Sequence, residues 1–166
     1  MLRIRRAAAS DAGLILRFIR GLAEYEREPD AVVATEEDIL RDGFGKQPRF
    51  SVLIAEWGGV SAGFAFYFFN YSTWQGKPGL FLEDLFVDPQ FRGKGIGKAL
   101  LAELASIAQQ ENCYGLKWEV LDWNQSAIDF YEGLGAKVLR EWLPVRLTDD
   151  AWRTLARTSK GVASGS

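Results

Sequence analysis

The sequence predicts a mixed α/β fold in a single domain: a mostly antiparallel sheet with a parallel strand-helix-strand crossover that opens a crevice. Three observations lead there. Two apolar runs, Phe50 to Trp57 and Val60 to Asn70, are joined through Gly58-Gly59 and read as a hairpin. A run from about Gly79 to Val87 passes through a glycine-rich turn into a helix and then into a further apolar run, Leu116 to Leu121, which a right-handed crossover lays parallel to the first. The chain of 166 residues, 48% of them hydrophobic, suits one substantial core and no second domain.

Taken in order, Leu2 to Arg6 alternates and forms the first strand, and Ser10-Asp11 offers caps to a helix whose apolar stripe is Leu14, Ile15, Phe18, Ile19 and Leu22. Thr35, with Asp38 three residues on, opens a second short helix to about Asp42, stopped at Gly43. Gly43 to Pro48 is loop, followed by the hairpin, whose second strand is rich in aromatics. A turn around Gln75-Gly76-Lys77-Pro78 leads into the strand ending at Val87. Beyond the glycine turn, Ile96, Leu100, Leu104 and Ala108 repeat every four residues on one helix face. Asn124 caps a short helix carrying Ile128, Tyr131 and Leu134, with Gly135 as its stop. Lys137 to Leu147 reads as a last strand or strand pair, and Thr148 opens a helix to about Ala156. The expected domain is 1–158, with 159–166 a disordered tail.

Composition narrows the chemistry. A net charge of -2 and a pI near 5.3 give no global field for nucleic acid; a polyanion site has to be local, and the bias suits a cationic partner. The single Cys113 excludes an intrachain disulfide and any multi-cysteine zinc site. With no histidine, serine-histidine triads, histidine-ligated metals and imidazole acid-base catalysis are excluded, so proton transfer falls to carboxylates, tyrosine, lysine, cysteine or water. No metal is expected. Arg17 interrupts the apolar cluster of the first 20 residues before it reaches a signal-peptide core, and no run approaches membrane-spanning length. The expectation is a cytoplasmic protein with neither membrane nor nucleic-acid partners.

The run Glu83-Asp84-Leu85-Phe86-Val87-Asp88-Pro89-Gln90-Phe91-Arg92-Gly93-Lys94-Gly95-Ile96-Gly97-Lys98 places three alternating glycines and the basic residues Arg92, Lys94 and Lys98 where a strand becomes a helix. Glycines leave the backbone open to a polyanion, and unpaired amides at a helix start point toward it. A nucleotide-triphosphatase loop ending at Lys98 would need glycine at Arg92 and Ser or Thr at Ala99, and a dinucleotide fingerprint would need a third glycine at Lys98 or Leu100. Neither pattern fits. The segment Arg92-Gly93-Lys94-Gly95-Ile96-Gly97 after Val87-Asp88-Pro89 resembles the acetyl-CoA pyrophosphate loop of the GNAT superfamily of N-acetyltransferases.

A second segment, Asn124-Gln125-Ser126-Ala127-Ile128-Asp129-Phe130-Tyr131 through Gly135-Ala136, is similar to a second GNAT signature. The resemblance implies that Asn124, with Ser126 and Ala127, contacts the cofactor arm and that the Tyr131 hydroxyl serves near the thioester sulfur. Read without the resemblance, Asn124 is a helix cap and Tyr131 a core aromatic with its hydroxyl at the surface. Asp42-Gly43-Phe44-Gly45, Tyr71-Ser72-Thr73-Trp74-Gln75-Gly76-Lys77, Leu82-Glu83-Asp84 and Leu121-Asp122-Trp123-Asn124-Gln125 extend the likeness over nearly the whole chain, toward the diamine (spermidine/spermine) and thialysine N-epsilon-acetyltransferase group. The segment Arg140 to Arg146 departs from it. The resemblance implies acetyl-CoA as co-substrate, a homodimer, and an amine site involving Tyr25 and Glu26, with Trp74 and Glu119 as weaker members and Glu24 and Glu28 weaker still.

In such sheets ligands bind at the carboxyl ends of the strands flanking the crossover. The amides of a pantetheine arm can add to the backbone of Leu85, Phe86 and Val87 as a peptide adds to a sheet edge. An alkyl ammonium is only about one part in a thousand neutral near pH 7, and removing its proton costs about 4 to 5 kcal/mol, so a positioned acceptor is useful. Glu83 is the candidate, as a base acting directly or through water; the other reading is that Glu83 or Asp84 only attracts the cation. Tyr131 is the candidate acid for the departing thiolate, and no covalent intermediate is needed. The expected function is acetyl transfer to a small cationic amine, polyamine or lysine-like. Other readings are acetylation of an antibiotic or a protein lysine, and a non-catalytic acyl-CoA sensor.

Overall fold

The computed structural model describes residues 1–165. It divides into two units, Met1–Leu121 and Asp122–Ser166.

The first unit is a five-stranded sheet in the order β1-β2-β3-β4-β5, formed by Leu2–Arg6, Ser51–Trp57, Val60–Ser72, Lys77–Val87 and Leu116–Lys117. β1 to β4 pair antiparallel and β5 joins β4 in parallel, the mixed α/β class that the sequence predicts. Three helices accompany the sheet: α1 (Ala12–Tyr25), α2 (Glu36–Phe44) and α3 (Ile96–Gln110). Alternation along the strands divides the core. Val52, Ile54, Phe64 and Phe86 face α1 and α2, where Ile15, Leu16, Phe18 and Ile39 complete a buried cluster. Leu53, Ala65, Tyr67, Leu80 and Leu82 occupy the opposite positions and are buried together with Ile96, Leu100 and Leu104 of the crossover helix α3. Burying a side chain of this size stabilises by about 1.5–3 kcal/mol.

Local signals set the helix limits. The Thr35 hydroxyl accepts the Asp38 amide at 3.2 Å while the Asp38 carboxylate accepts the Thr35 amide at 2.9 Å, a reciprocal cap for α2, which runs on past Gly43 to Phe44. Asp11 does not bond the amides of α1. Its carboxylate instead accepts the Ala8 amide at 2.7 Å and both terminal nitrogens of Arg5 at 2.8 and 3.0 Å, which ties β1 to the start of the helix and holds Asp11 below the usual carboxylate range.

Two expectations about strands fail. The parallel strand stops at Lys117 instead of reaching Leu121, because β4 carries a bulge: Tyr67 pairs with Leu82 and Phe66 with Asp84, which leaves Glu83 without a partner across the ladder. A bulge adds local twist and ends pairing. The strand expected over Lys137 to Leu147 is absent. Those residues carry no ladder, Pro144 has no amide to give one, and Trp142 is 70% exposed.

The second unit contains α4 (Gln125–Gly133) and α5 (Asp149–Ala156), the latter starting after Thr148 as the sequence predicts. Gly135, at φ +95°, follows α4 as its stop. Residues 159–165 carry no helix or strand, and Ser166 of the expected disordered tail lies outside the described residues.

Candidate active site

The functional half of β4 begins where its parallel partner ends. The ladder with β5 consists of Leu80↔Leu116 and Phe81↔Lys117, so among the described residues Leu82 to Val87 has a neighbouring strand only on the β3 side. The other edge of Leu85, Phe86 and Val87 is backbone that an amide-bearing chain can join. Phe86 is buried on the α1 face and Leu85, one residue back, turns to the opposite face. The Val87 carbonyl accepts a hydrogen bond from Arg92 Nε at 3.2 Å.

Past Val87 the chain makes a 3-10 turn, Pro89–Phe91, closed by the Asp88 carboxylate accepting the Gln90 amide at 3.0 Å. Gly95 then caps α3 in the left-handed region, at φ +78°, a conformation that glycine alone adopts without cost. The Ala99 amide is the first to bond back, to the Gly95 carbonyl at 3.0 Å. The amides of Ile96, Gly97 and Lys98 therefore have no acceptor within the helix, and they carry the positive end of its dipole. Gly97 is informative in another way. It sits in the helix, where a Cβ would meet only Val87 Cγ2 at 3.9 Å, so packing does not call for glycine there. A Cβ there would stand at the helix start, in the way of any polyanion approaching its amides.

Two of the three basic side chains are placed more specifically than the sequence indicates. The Arg92 guanidinium lies 4.9 Å from the centre of the Tyr25 ring, and Lys94 Nζ lies 5.1 Å from the centre of the Trp57 ring. Aromatic faces thus hold both cations beside the loop. Gly93 and Lys98 are exposed.

The carboxylates sit one step back along β4. Asp84 pairs with Phe66 and shares its face, toward α1 and α2, where Phe66 stacks on Phe50 at 4.1 Å between centres. Burial, reinforced by the neighbouring charges of Glu83 and Glu26, pushes the Asp84 carboxyl up to about 7. Glu26, just past α1, is half-buried and also raised by burial. Glu83, the sequence candidate for a base, is the exposed bulge residue. The bulge decides which of the two adjacent acids enters the aromatic layer, and it selects Asp84.

The other predicted residues distribute as follows. Asn124 caps α4 by accepting the Ala127 amide at 3.3 Å, with the Ser126 hydroxyl 3.4 Å from the same oxygen. The Tyr131 ring is half-buried, 5.5 Å from that of Phe130. Trp74 is 95% exposed in the turn between β3 and β4, on the order of 20 Å along the strand from Asp84. Those two are not brought together within one chain. Glu119 is exposed beyond the end of β5. Not anticipated were Arg17 and Arg20 of α1, which line a cleft with Tyr25, Phe86 and Arg92. Their three-residue spacing was the only signal available.

A model of the acetyltransferase (GNAT) family matches residues 16–136. The chain belongs to that family. Its members use acetyl-CoA as co-substrate, and the chain is an N-acetyltransferase. It is 42% identical over 164 residues to a thialysine N-epsilon-acetyltransferase of Sus scrofa, covering 92% of this chain and 96% of that protein. It is 43% identical over 141 residues to a human spermidine/spermine N(1)-acetyltransferase-like protein 1, covering 81% of this chain and 20% of that longer one. Among solved structures, an integron cassette protein of V. cholerae superposes with a TM-score of 0.79 at 29% identity, covering 95% of this chain and 98% of the other.

Proposed function

We propose that this acetyltransferase moves the acetyl group of acetyl-CoA to a primary amine of a small cationic substrate, polyamine or lysine-like, by direct attack within a ternary complex. The observation that carries this reading is the sequence of parts along one stretch of chain: a half-buried carboxylate at Asp84, an unpaired strand edge at Leu85 to Val87, and a glycine-lined helix start at Gly93 to Lys98. The diphosphate lies on the amides of that start, with Arg92, Lys94 and Lys98 nearby, and the pantetheine arm adds to the β4 edge. The family resemblance adds Asn124, Ser126 and Ala127 to the cofactor contacts.

In the reaction the ammonium gives its proton to the Asp84 carboxylate, with Glu26 and Glu83 supplying attraction for the cation. The neutral nitrogen attacks the thioester carbonyl, the C–N bond forms and the C–S bond breaks. The departing thiolate takes a proton from the Tyr131 hydroxyl, and the second proton, shed by the newly acylated nitrogen, restores that hydroxyl through water. An acceptor with a pKa near 7 stands closer to a bound ammonium than an ordinary carboxylate does, and closer proton affinities make the transfer less uphill. Tyr25, Trp74 and Glu119 are secondary substrate residues by resemblance. The relatives named for thialysine and for spermidine/spermine support a small amine over a bulky one.

Residues 1–158 are taken as the catalytic domain, working as a homodimer in the cytoplasm; the exposed aromatics Phe69, Tyr71 and Trp74 of the β3–β4 hairpin support self-association. Among the described residues no helix is long and apolar enough to cross a membrane. The test is incubation of the purified protein with acetyl-CoA and an amine panel, following free thiol and product mass. Stoichiometric release of thiol with an N-acetylated amine is expected; thiol release without any acetylated amine would overturn the reading.

A further inference from the structure

The aromatic layer that receives Asp84 is built in two steps. Phe66, on β3, stands directly across the ladder from Asp84, and side chains so paired share a face with Cβ atoms about 4.5–5.5 Å apart. Phe50, just before β2, precedes by two residues Val52, the β2 partner of Phe66, and its ring stacks on that of Phe66 at 4.1 Å between centres and 21° between planes. Both rings are half-buried and pack against the core cluster beneath α1 and α2.

Gly43 shows that the place of the outer ring is specified. It lies inside α2 without a positive φ, where alanine would serve the helix better, so neither backbone conformation nor helix propensity calls for glycine. The Phe50 ring does. A Cβ on Gly43 would stand 2.5 Å from Phe50 Cζ and 2.6 Å from Cε1. Helix, outer ring and inner ring therefore line up behind one carboxylate.

The charges that act on Asp84 are those of Glu83, its neighbour, and Glu26, just past α1, both anionic. β2 and β3 turn Val52, Phe64 and Phe66 to this face, none of which titrates, and the α2 acids Asp38 and Asp42 are engaged by Arg41 at the surface. Burial outweighs both neighbouring charges in raising the Asp84 carboxyl, so what shields it from water matters more than what charges surround it.

We propose that Phe50 is a positioning residue of the acetyl transfer: held against Gly43 and stacked on Phe66, it keeps water from the Asp84 carboxylate and so makes that group a stronger acceptor for the proton of the amine. The inference rests on the acetyl-transfer reading above and deepens it, tracing the strength of the acceptor to a side chain outside the cluster of acids. The experiment follows Phe50→Leu, Gly43→Ala and the double variant by two readouts. One is the pH profile of kcat/KM for the amine that the parent uses best; the other is the pH titration of the Asp84 carboxyl by carbon NMR, its resonance assigned by its loss in Asp84→Asn. In Phe50→Leu both midpoints should fall by about one pH unit, and the plateau above pH 8 should drop about threefold as the acceptor weakens. Gly43→Ala displaces the ring without removing it. It should move both midpoints the same way by less, and add little once Phe50 is leucine; it also carries the test if Phe50→Leu does not fold. A loss of kcat/KM by one factor at every pH, with the carboxyl midpoint in place, would mark a structural role only and overturn the proposal. A carboxyl midpoint that falls while the activity profile stays would overturn it too, because the accepting group would then not be Asp84. If the parent acetylates no amine, the acetyl-transfer reading falls and takes the positioning role with it; thiol release and product mass report that failure, and the midpoints report the other.

Discussion

Around Leu80 and Phe81, β4 lies between β3 and β5, with Leu80 fully buried and its amide bonded to the Gly115 carbonyl at 3.0 Å. From Leu82 to Val87 the same strand keeps only β3 as a neighbour, carries Glu83 as an unpaired bulge and presents Asp84 to an aromatic layer. One half spends its backbone polar groups and side chains on the fold; the other leaves them unsaturated. The contrast shows how a continuous strand can anchor a site and also supply it, because ending the β5 ladder frees an edge without disturbing the ladder to β3.

Breaking the unsaturated half at its charge gives the largest effect. Asp84→Asn should lower kcat/KM for the amine about 100- to 10,000-fold. The parent's own kcat/KM should rise with pH through about 7, since the accepting carboxylate has to be ionised. Stability should move the other way. A carboxyl whose folded pKa lies above its ordinary value favours the fold below that ordinary value, and the advantage is lost as pH rises through about 7. Asp84→Asn should thus be more stable than the parent at pH 8, by on the order of 2–4 kcal/mol, and little different at pH 3; denaturant melts at the two pH values check this.

In the saturated half the expected result is the reverse. Leu80→Ala should cost about 2–5 kcal/mol of stability, seen as a lower denaturation midpoint, while the amine KM of the folded fraction stays near that of the parent. A large KM change without destabilisation would contradict the division of β4.

Gly97→Ala sharpens the comparison at the loop. The helix should gain about 0.5–1 kcal/mol in thermal or denaturant unfolding, because alanine is the better helix residue and its Cβ meets only Val87. The KM for acetyl-CoA should nonetheless rise roughly tenfold, because that Cβ occupies the approach to the helix-start amides. A stabilised variant with unchanged acetyl-CoA KM would show that no anion comes close there. Glu83→Gln should be the mildest of the series. As an exposed attractor it should raise the amine KM by about threefold or less and move the pH profile slightly toward lower pH, because its charge helps hold the Asp84 carboxyl up. A loss of activity concentrated at low pH would restore Glu83 as the base.

Much of this was legible in the chain itself. The helix limits at Thr35-Asp38 and Gly135, the Gly58-Gly59 hairpin, the crossover and the Gly93 to Gly97 loop follow from local rules: backbone conformations open to glycine, short side chains that cap amides, and apolar periods of two and four. Such signals depend on neighbours in sequence, so reading the sequence finds them. The helical cap at Asn124 is of the same kind.

Other features belong to the tertiary structure. Glu83 and Asp84 are adjacent and chemically alike, and only the bulge against Phe66 and Tyr67 decides which is buried and which is exposed. The expected strands beyond Lys117 and across Lys137 to Leu147 are absent because a strand exists through its partner, and apolar alternation cannot supply one. Arg17 and Arg20 look like ordinary helix-surface charges until the packing of Phe86 beneath Gly21 puts Arg92 across a cleft from them. The sequence determined the family, the fold class and the glycine loop before α3; burial, register and the convergence of like charges depend on long-range contacts, and only the folded chain decided them.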